Sequence, residues 1–123
     1  MKPVFLIISS IVLTGCIDLP HPPVVTQFDG EWQGRRINHT DNPVCLPTQM
    51  FGSIKQGKVL FVLEYNDTKL SGKIDQNGVL ALSSNNPMWQ YQFSGRAKEG
   101  RIDGKWSVGN AGCEGEWYLD KKG

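Results

Sequence analysis

Three short stretches repeat one pattern: Gly30-Glu31-Trp32, Gly104-Lys105-Trp106 and Gly115-Glu116-Trp117. Each glycine stands two places before a tryptophan, in a run where apolar and polar residues alternate. A period of two marks a half-buried strand, so Gly and Trp face the same way. The first repeat lies near the start of the alternating region and the last near the end of the chain. This predicts that the first and last strands close a small β-barrel. In the opening strand, set at Phe28 to Ile37, Phe28, Gly30, Trp32 and Gly34 share one face. Asp29, Glu31, Gln33 and Arg35 share the other.

Further strands follow from the same alternation and from turn residues. They are predicted at Gln49 to Lys55, Lys58 to Tyr65, Thr68 to Asp75, Val79 to Leu82, Met88 to Ala97, Arg101 to Val108 and from Cys113 to the charged tail. Gln56-Gly57 and Lys98-Glu99-Gly100 read as hairpin turns. Asn77-Gly78 carries the Asn-Gly signal of a type I′ hairpin. The sixth strand places Trp89, Tyr91, Phe93 and Gly95 inward. The strand at Lys58 carries Val-Leu-Phe-Val-Leu, read as ordinary core plus one exposed aliphatic patch. The chain after its first residues shows no long 3.6-residue period. The reading is therefore all-β: a single antiparallel up-and-down barrel of about eight strands, whose edges close on each other.

The first residues are of a different kind. Met1-Lys2 gives a positive start, Val4 to Leu13 is apolar apart from two serines, and Leu13-Thr14-Gly15-Cys16 resembles the bacterial lipobox. The apolar run is too short for a transmembrane helix, which needs about 20 residues. The resemblance implies a cleaved signal peptide over 1–15 and a Cys16 carrying diacylglycerol and a further acyl (palmitate-type) chain, a stable membrane anchor. In enteric-type lipoproteins an aspartate directly after the cysteine commonly retains the protein in the inner membrane. Here Ile17 follows Cys16 and Asp18 comes one place later, so the resemblance implies a lipid anchor in the cell outer membrane, in the periplasm or at the surface. Residues 16–27 then form a tether, which Pro20, Pro22 and Pro23 keep extended. His21 is a solvated linker residue. The domain proper is 28–123.

Cysteine and charge narrow the function. Cys45 and Cys113 are left in an oxidising compartment, where a pair normally joins. A metal site with His39 would need more ligands than the sequence offers. Of the 13 basic residues only Lys2 is lost with the signal, leaving 12 against 12 acidic ones. That balance speaks against a nucleic-acid partner.

The opening Phe28-Asp29-Gly30-Glu31-Trp32 resembles the Gly-x-Trp first strand of calycin-type barrels, the lipocalins and avidins. In those families the tryptophan plugs one end of the barrel beside a basic residue of the final strand, for which Lys121 is the nearest candidate. The chain is shorter than a lipocalin, shows no helix after the barrel and has no recognisable biotin-site pattern. The resemblance implies an architecture and no ligand. In length, export and disulfide the chain is also similar, at the level of fold, to barrel lipoproteins that inhibit lysozyme or proteases.

Catalytic chemistry is thin. His39 and Asp41 could be combined with a serine, but no serine sits on a nucleophile elbow. Glu114 and Glu116 share a strand face, where cross-strand ion pairs with Arg101 and Lys105 are expected. No Gly-rich phosphate loop, Cys-x-x-Cys or His-rich cluster occurs. The reading is a protein that is not an enzyme, with no cofactor and no metal. It is read as a protein-binding module, an inhibitor of a hydrolase being one form of it, whose partners are membrane lipid through Cys16 and an envelope or secreted protein. Its candidate contact loops are Asn38 to Pro43, with Asn38, His39, Asp41 and Asn42, and Ser83 to Pro87, with Asn85, Asn86 and Pro87. The alternative is a calycin-like carrier of a small apolar ligand.

Overall fold

The computed structural model describes residues 24–40, 42 and 45–122. The signal peptide, Cys16, Ile17, Asp18, His21, Asp41 and Pro43 lie outside the described residues. Within them the protein is all-β: β1 (Gly30–Asn38), β2 (Thr48–Lys55), β3 (Lys58–Leu63), β4 (Thr68–Ile74), β5 (Val79–Ser84), β6 (Tyr91–Lys98), β7 (Arg101–Val108) and β8 (Cys113–Lys121). Each strand pairs antiparallel with its sequence neighbours, and β1 pairs with β8 to close the barrel. Closure leaves no open sheet edge along the barrel.

The alternation read from the sequence is the alternation of burial. Trp32, Phe61, Phe93, Trp106 and Trp117 point inward and are at most 2% exposed. Phe93 stacks on Trp106 with centroids 6.2 Å apart and meets Trp117 edge-on at 5.6 Å. Trp117 also meets Phe61 edge-on at 6.2 Å. Rings thus fill the middle of the barrel, where their mutual geometry adds to burial. On β3, Val59, Phe61 and Leu63 are buried, while Leu60 is exposed opposite Ser53 of β2, and the exposed Phe51 of β2 faces the half-buried Val62. This is the core with one apolar patch outside.

Several boundaries move. Phe28 precedes β1 and packs half-buried against the core, and its carbonyl accepts a bond from the Trp32 indole N–H at 3.0 Å. β5 runs on through Ser83 and Ser84, so the loop after it begins at Asn85. β6 starts at Tyr91, and Trp89 lies in that loop, half-buried, instead of on the strand. The cause is Asn86: its side-chain oxygen accepts the backbone N–H groups of Met88 and Trp89, which winds the chain before the strand can begin. The turn at Asn77-Gly78 is not type I′ either. Only Gly78 has a positive φ there, and type I′ needs two such residues. Asp75 decides this, because its carboxylate accepts from Asn77 N and Val79 N at 2.9 Å each. The double positive φ occurs instead at Gln56-Gly57 and Glu99-Gly100.

The barrel has two unlike ends. One carries the turns at Gln56-Gly57, Asp75 to Gly78 and Glu99-Gly100, and here the chain arrives from Val24. Asp29 accepts from Gln56 N at 2.9 Å, and Gln27 donates to the Gln76 carbonyl at 3.1 Å. The register sets Trp32 opposite Lys121 at this end. The other end carries the loops after β1, β3, β5 and β7.

Candidate functional site

Both loops singled out in the sequence belong to that second end. The loop after β1 is knitted by its asparagines. Asn38 donates to the Asn42 carbonyl at 3.3 Å and its oxygen accepts from Thr40 N and Oγ1. Asn42 donates to the Ala111 carbonyl at 2.9 Å, which ties this loop to the turn after β7. Cys45 and Cys113 make the same connection covalently, with Cα atoms 6.2 Å apart, and both are buried. His39 is exposed, and its backbone N–H donates to the Glu114 carbonyl at 3.1 Å. In the loop after β5, the Asn85 N–H bonds to the Lys69 carbonyl. Asn86 bonds Thr68 Oγ1 at 3.1 Å besides capping Met88 and Trp89. Pro87 is exposed. The asparagines serve first to shape these loops.

Between the loops, the outer wall of β5 to β8 carries a groove of about 740 Å³. Register explains its lining. Ser83, Gln92, Ser107 and Glu114 stand in one row across the four strands. Ala81, Ser94, Lys105 and Glu116 form the next row. His39 closes the groove at the β1 side and Ser83 at the β5 side, so the two loops flank its opposite ends. Small side chains make the depression. The expected ion pairs do not form there: Lys105 is the register partner of Glu116, yet neither Glu114 nor Glu116 makes an ion pair among the described residues. Arg101 is engaged elsewhere, by Asp103 and by Asp120, its partner across β8, and lies over the Tyr118 ring. The Asp103 carboxylate is the main reason its guanidinium is held above the ordinary arginine pKa.

Inside the barrel at the same end sits a residue the sequence reading passed over. Arg36 is fully buried. Its guanidinium lies 4.3 Å from the centroid of Trp106, 5.1 Å from Tyr65 and 5.9 Å from Tyr91. Nη2 donates to the Leu46 carbonyl, while Nε and Nη1 have no partner. The Tyr65 and Tyr91 hydroxyls lie 2.7 Å apart, and Asn66 donates to the Tyr91 oxygen at 3.1 Å. Burial first, then the bond to Tyr91, pushes the Tyr65 phenol above its usual pKa. The signal for Arg36 was available: it continues the inward parity of Trp32 and Gly34 by one more step.

No three His, Cys, Asp or Glu side chains gather as a metal-holding group among the described residues. No helix among them is long and apolar enough to cross a membrane. Comparison with family models, with curated proteins and with solved structures found no match for this chain.

Proposed function

We propose that the protein is a non-catalytic binding module of the bacterial envelope, tethered to the outer membrane by a lipidated Cys16, whose loop end and adjoining groove engage a protein partner such as a secreted hydrolase. The observation that carries this reading is the packing of Phe61, Phe93, Trp106 and Trp117 across the barrel interior. Eight strands enclose room for side chains or for one small ligand. Four large rings take up the middle of that room, which weighs against the alternative of an apolar-ligand carrier. The buried Arg36 cation weighs the same way, since an apolar guest would leave it unsolvated.

Orientation supports the reading. The tether joins the barrel at the end of Trp32 and Lys121, so the loops after β1 and β5 and the flank of the groove stand at the far end. The chain leading from Cys16 thus enters the barrel at the end opposite them. The groove offers Ser83, Ser94 and Ser107 as hydrogen-bonding groups, with Glu114 and Glu116 as unspent charges. A partner segment with basic and amide groups suits that wall. The test is a crosslinking pull-down from intact cells with the natural chain and with a chain whose residues 38–43 and 85–87 are replaced by glycine-serine linkers. One envelope or secreted protein should be captured by the first and lost with the second. Equal capture by both would overturn the assignment of the loops.

A further inference from the structure

We propose that the loop end of the barrel interior is a binding site for a small carboxylate, held by Arg36 with help from the Tyr65–Tyr91 pair. An arginine stays charged in a protein, and a buried charge needs a partner. Arg36 is fully buried, and among the described residues the only hydrogen bond its guanidinium makes runs to the Leu46 carbonyl. Trp106, Tyr65 and Tyr91 stabilise the cation through their ring faces. Ring contacts do not replace hydrogen bonds, and Nε–H and Nη1–H have none among the described residues.

Among the described residues no acid is buried in the interior to answer them. The other buried polar residues among those described are Thr48 and Thr68. Thr48 Oγ1 donates to the Gln49 carbonyl and accepts from Tyr65 N, and Thr68 Oγ1 accepts from Asn86. The tyrosines add a donor of their own. Two hydroxyl protons share one oxygen-to-oxygen bond of 2.7 Å, so whichever group donates, one proton is left over. The site thus gathers a positive charge, two guanidinium N–H groups without a hydrogen bond and one spare phenolic proton, with no carboxylate among the described residues beside them. A carboxylate supplies the missing charge and two acceptor oxygens in a shape that suits guanidinium.

Size and access follow from the neighbours. Phe93 stacked on Trp106 blocks deeper entry, so the ligand is small. Tyr65 is 41% exposed, whereas Tyr91 and Trp106 are buried, so rotation of Tyr65 is the way in.

The experiment is a titration of the 15N-labelled full chain with sodium acetate, against sodium chloride at equal ionic strength. The Arg36 Nε–H and Trp106 indole signals are followed. Acetate should shift both saturably, and chloride should not. In R36M the Trp106 shift should vanish over the same range. Y65F, which removes the hydroxyl pair but keeps the ring, should weaken acetate binding by roughly five- to tenfold, the worth of about one hydrogen bond. Shifts that grow linearly, or that chloride reproduces, would overturn the proposal. So would a D41N chain in which the Arg36 signal moves without acetate, because the counter-charge would then be the chain's own.

Discussion

Gly104 and Trp117 face each other across β7 and β8, and a β-carbon on residue 104 would lie 2.6 Å from the Trp117 indole nitrogen. The relation is reciprocal: Trp106 faces Gly115, where a β-carbon would lie 2.8 Å from the Trp106 indole nitrogen. Antiparallel pairing of two Gly-x-Trp stretches therefore exchanges partners, each glycine making room for the tryptophan of the other strand. The indoles lie against the barrel wall and bond to it. Trp117 donates to the carbonyls of Ser94 and Lys105, and Trp106 donates to that of Ile37.

This predicts the cost of a single methyl group. At residue 104 the new carbon would also fall 1.9 Å from the Ser94 carbonyl oxygen, so wall and ring must both shift. G104A should lose about 1–3 kcal/mol of stability, as overpacked cores do. G109A is the control, since only the Gln90 side chain lies near, at 3.6 Å. Urea unfolding of the two variants checks the difference.

The disulfide joins residues 68 apart in sequence and pins the loop after β1 to the start of β8. Constraint of the unfolded chain over a loop of this length is worth about 4 kcal/mol in the entropy model. The C45A/C113A chain should show that loss in equilibrium unfolding. It should also loosen the loop holding His39, seen as faster amide exchange at His39 and Asn42 than at Gly57.

Tyr65 sets a pH dependence at the alkaline side. Its phenol is raised above 10.0, mainly by burial, so folding favours the neutral form. That contribution is complete below pH 10.0 and is lost as pH rises through the folded-state value. Stability of the natural chain should therefore fall above pH 10.0 more steeply than that of Y65F. Thermal melts across that range compare the slopes.

Arg36 predicts a stability change of unusual sign. Replacing a charged side chain that buries two unpartnered donors by an apolar one of similar length removes a desolvation cost. R36M should be as stable as the natural chain or more so in carboxylate-free buffer. Acetate should raise the melting temperature of the natural chain and leave that of R36M unchanged.

Strand alternation made the barrel legible, because every strand has one face in the core and one in water. The all-β class and the eight strands needed only parity and turn residues, and the Cys45–Cys113 pair followed once the lipobox resemblance had set Cys16 aside. What escaped was decided by side chains acting on the backbone nearby. Asp75 caps its turn and displaces the type I′ geometry promised by Asn77-Gly78, and Asn86 holds Trp89 off β6. The groove escaped for another reason. Its rows join residues from four strands, and only register brings Ser83, Gln92, Ser107 and Glu114 into line. Arg36 was within reach of parity but stands one step past the run of small and aromatic residues that drew the inward face.

The most direct test of the binding-module account places a photo-crosslinking residue at Ser94, in the middle of the groove, and another at Ser71, on the outer wall of β4. In intact cells the probe at Ser94 should form one discrete protein adduct, and E114K/E116K should abolish it, while the probe at Ser71 should form none. An adduct of equal yield from both positions, or none from Ser94, would contradict the account.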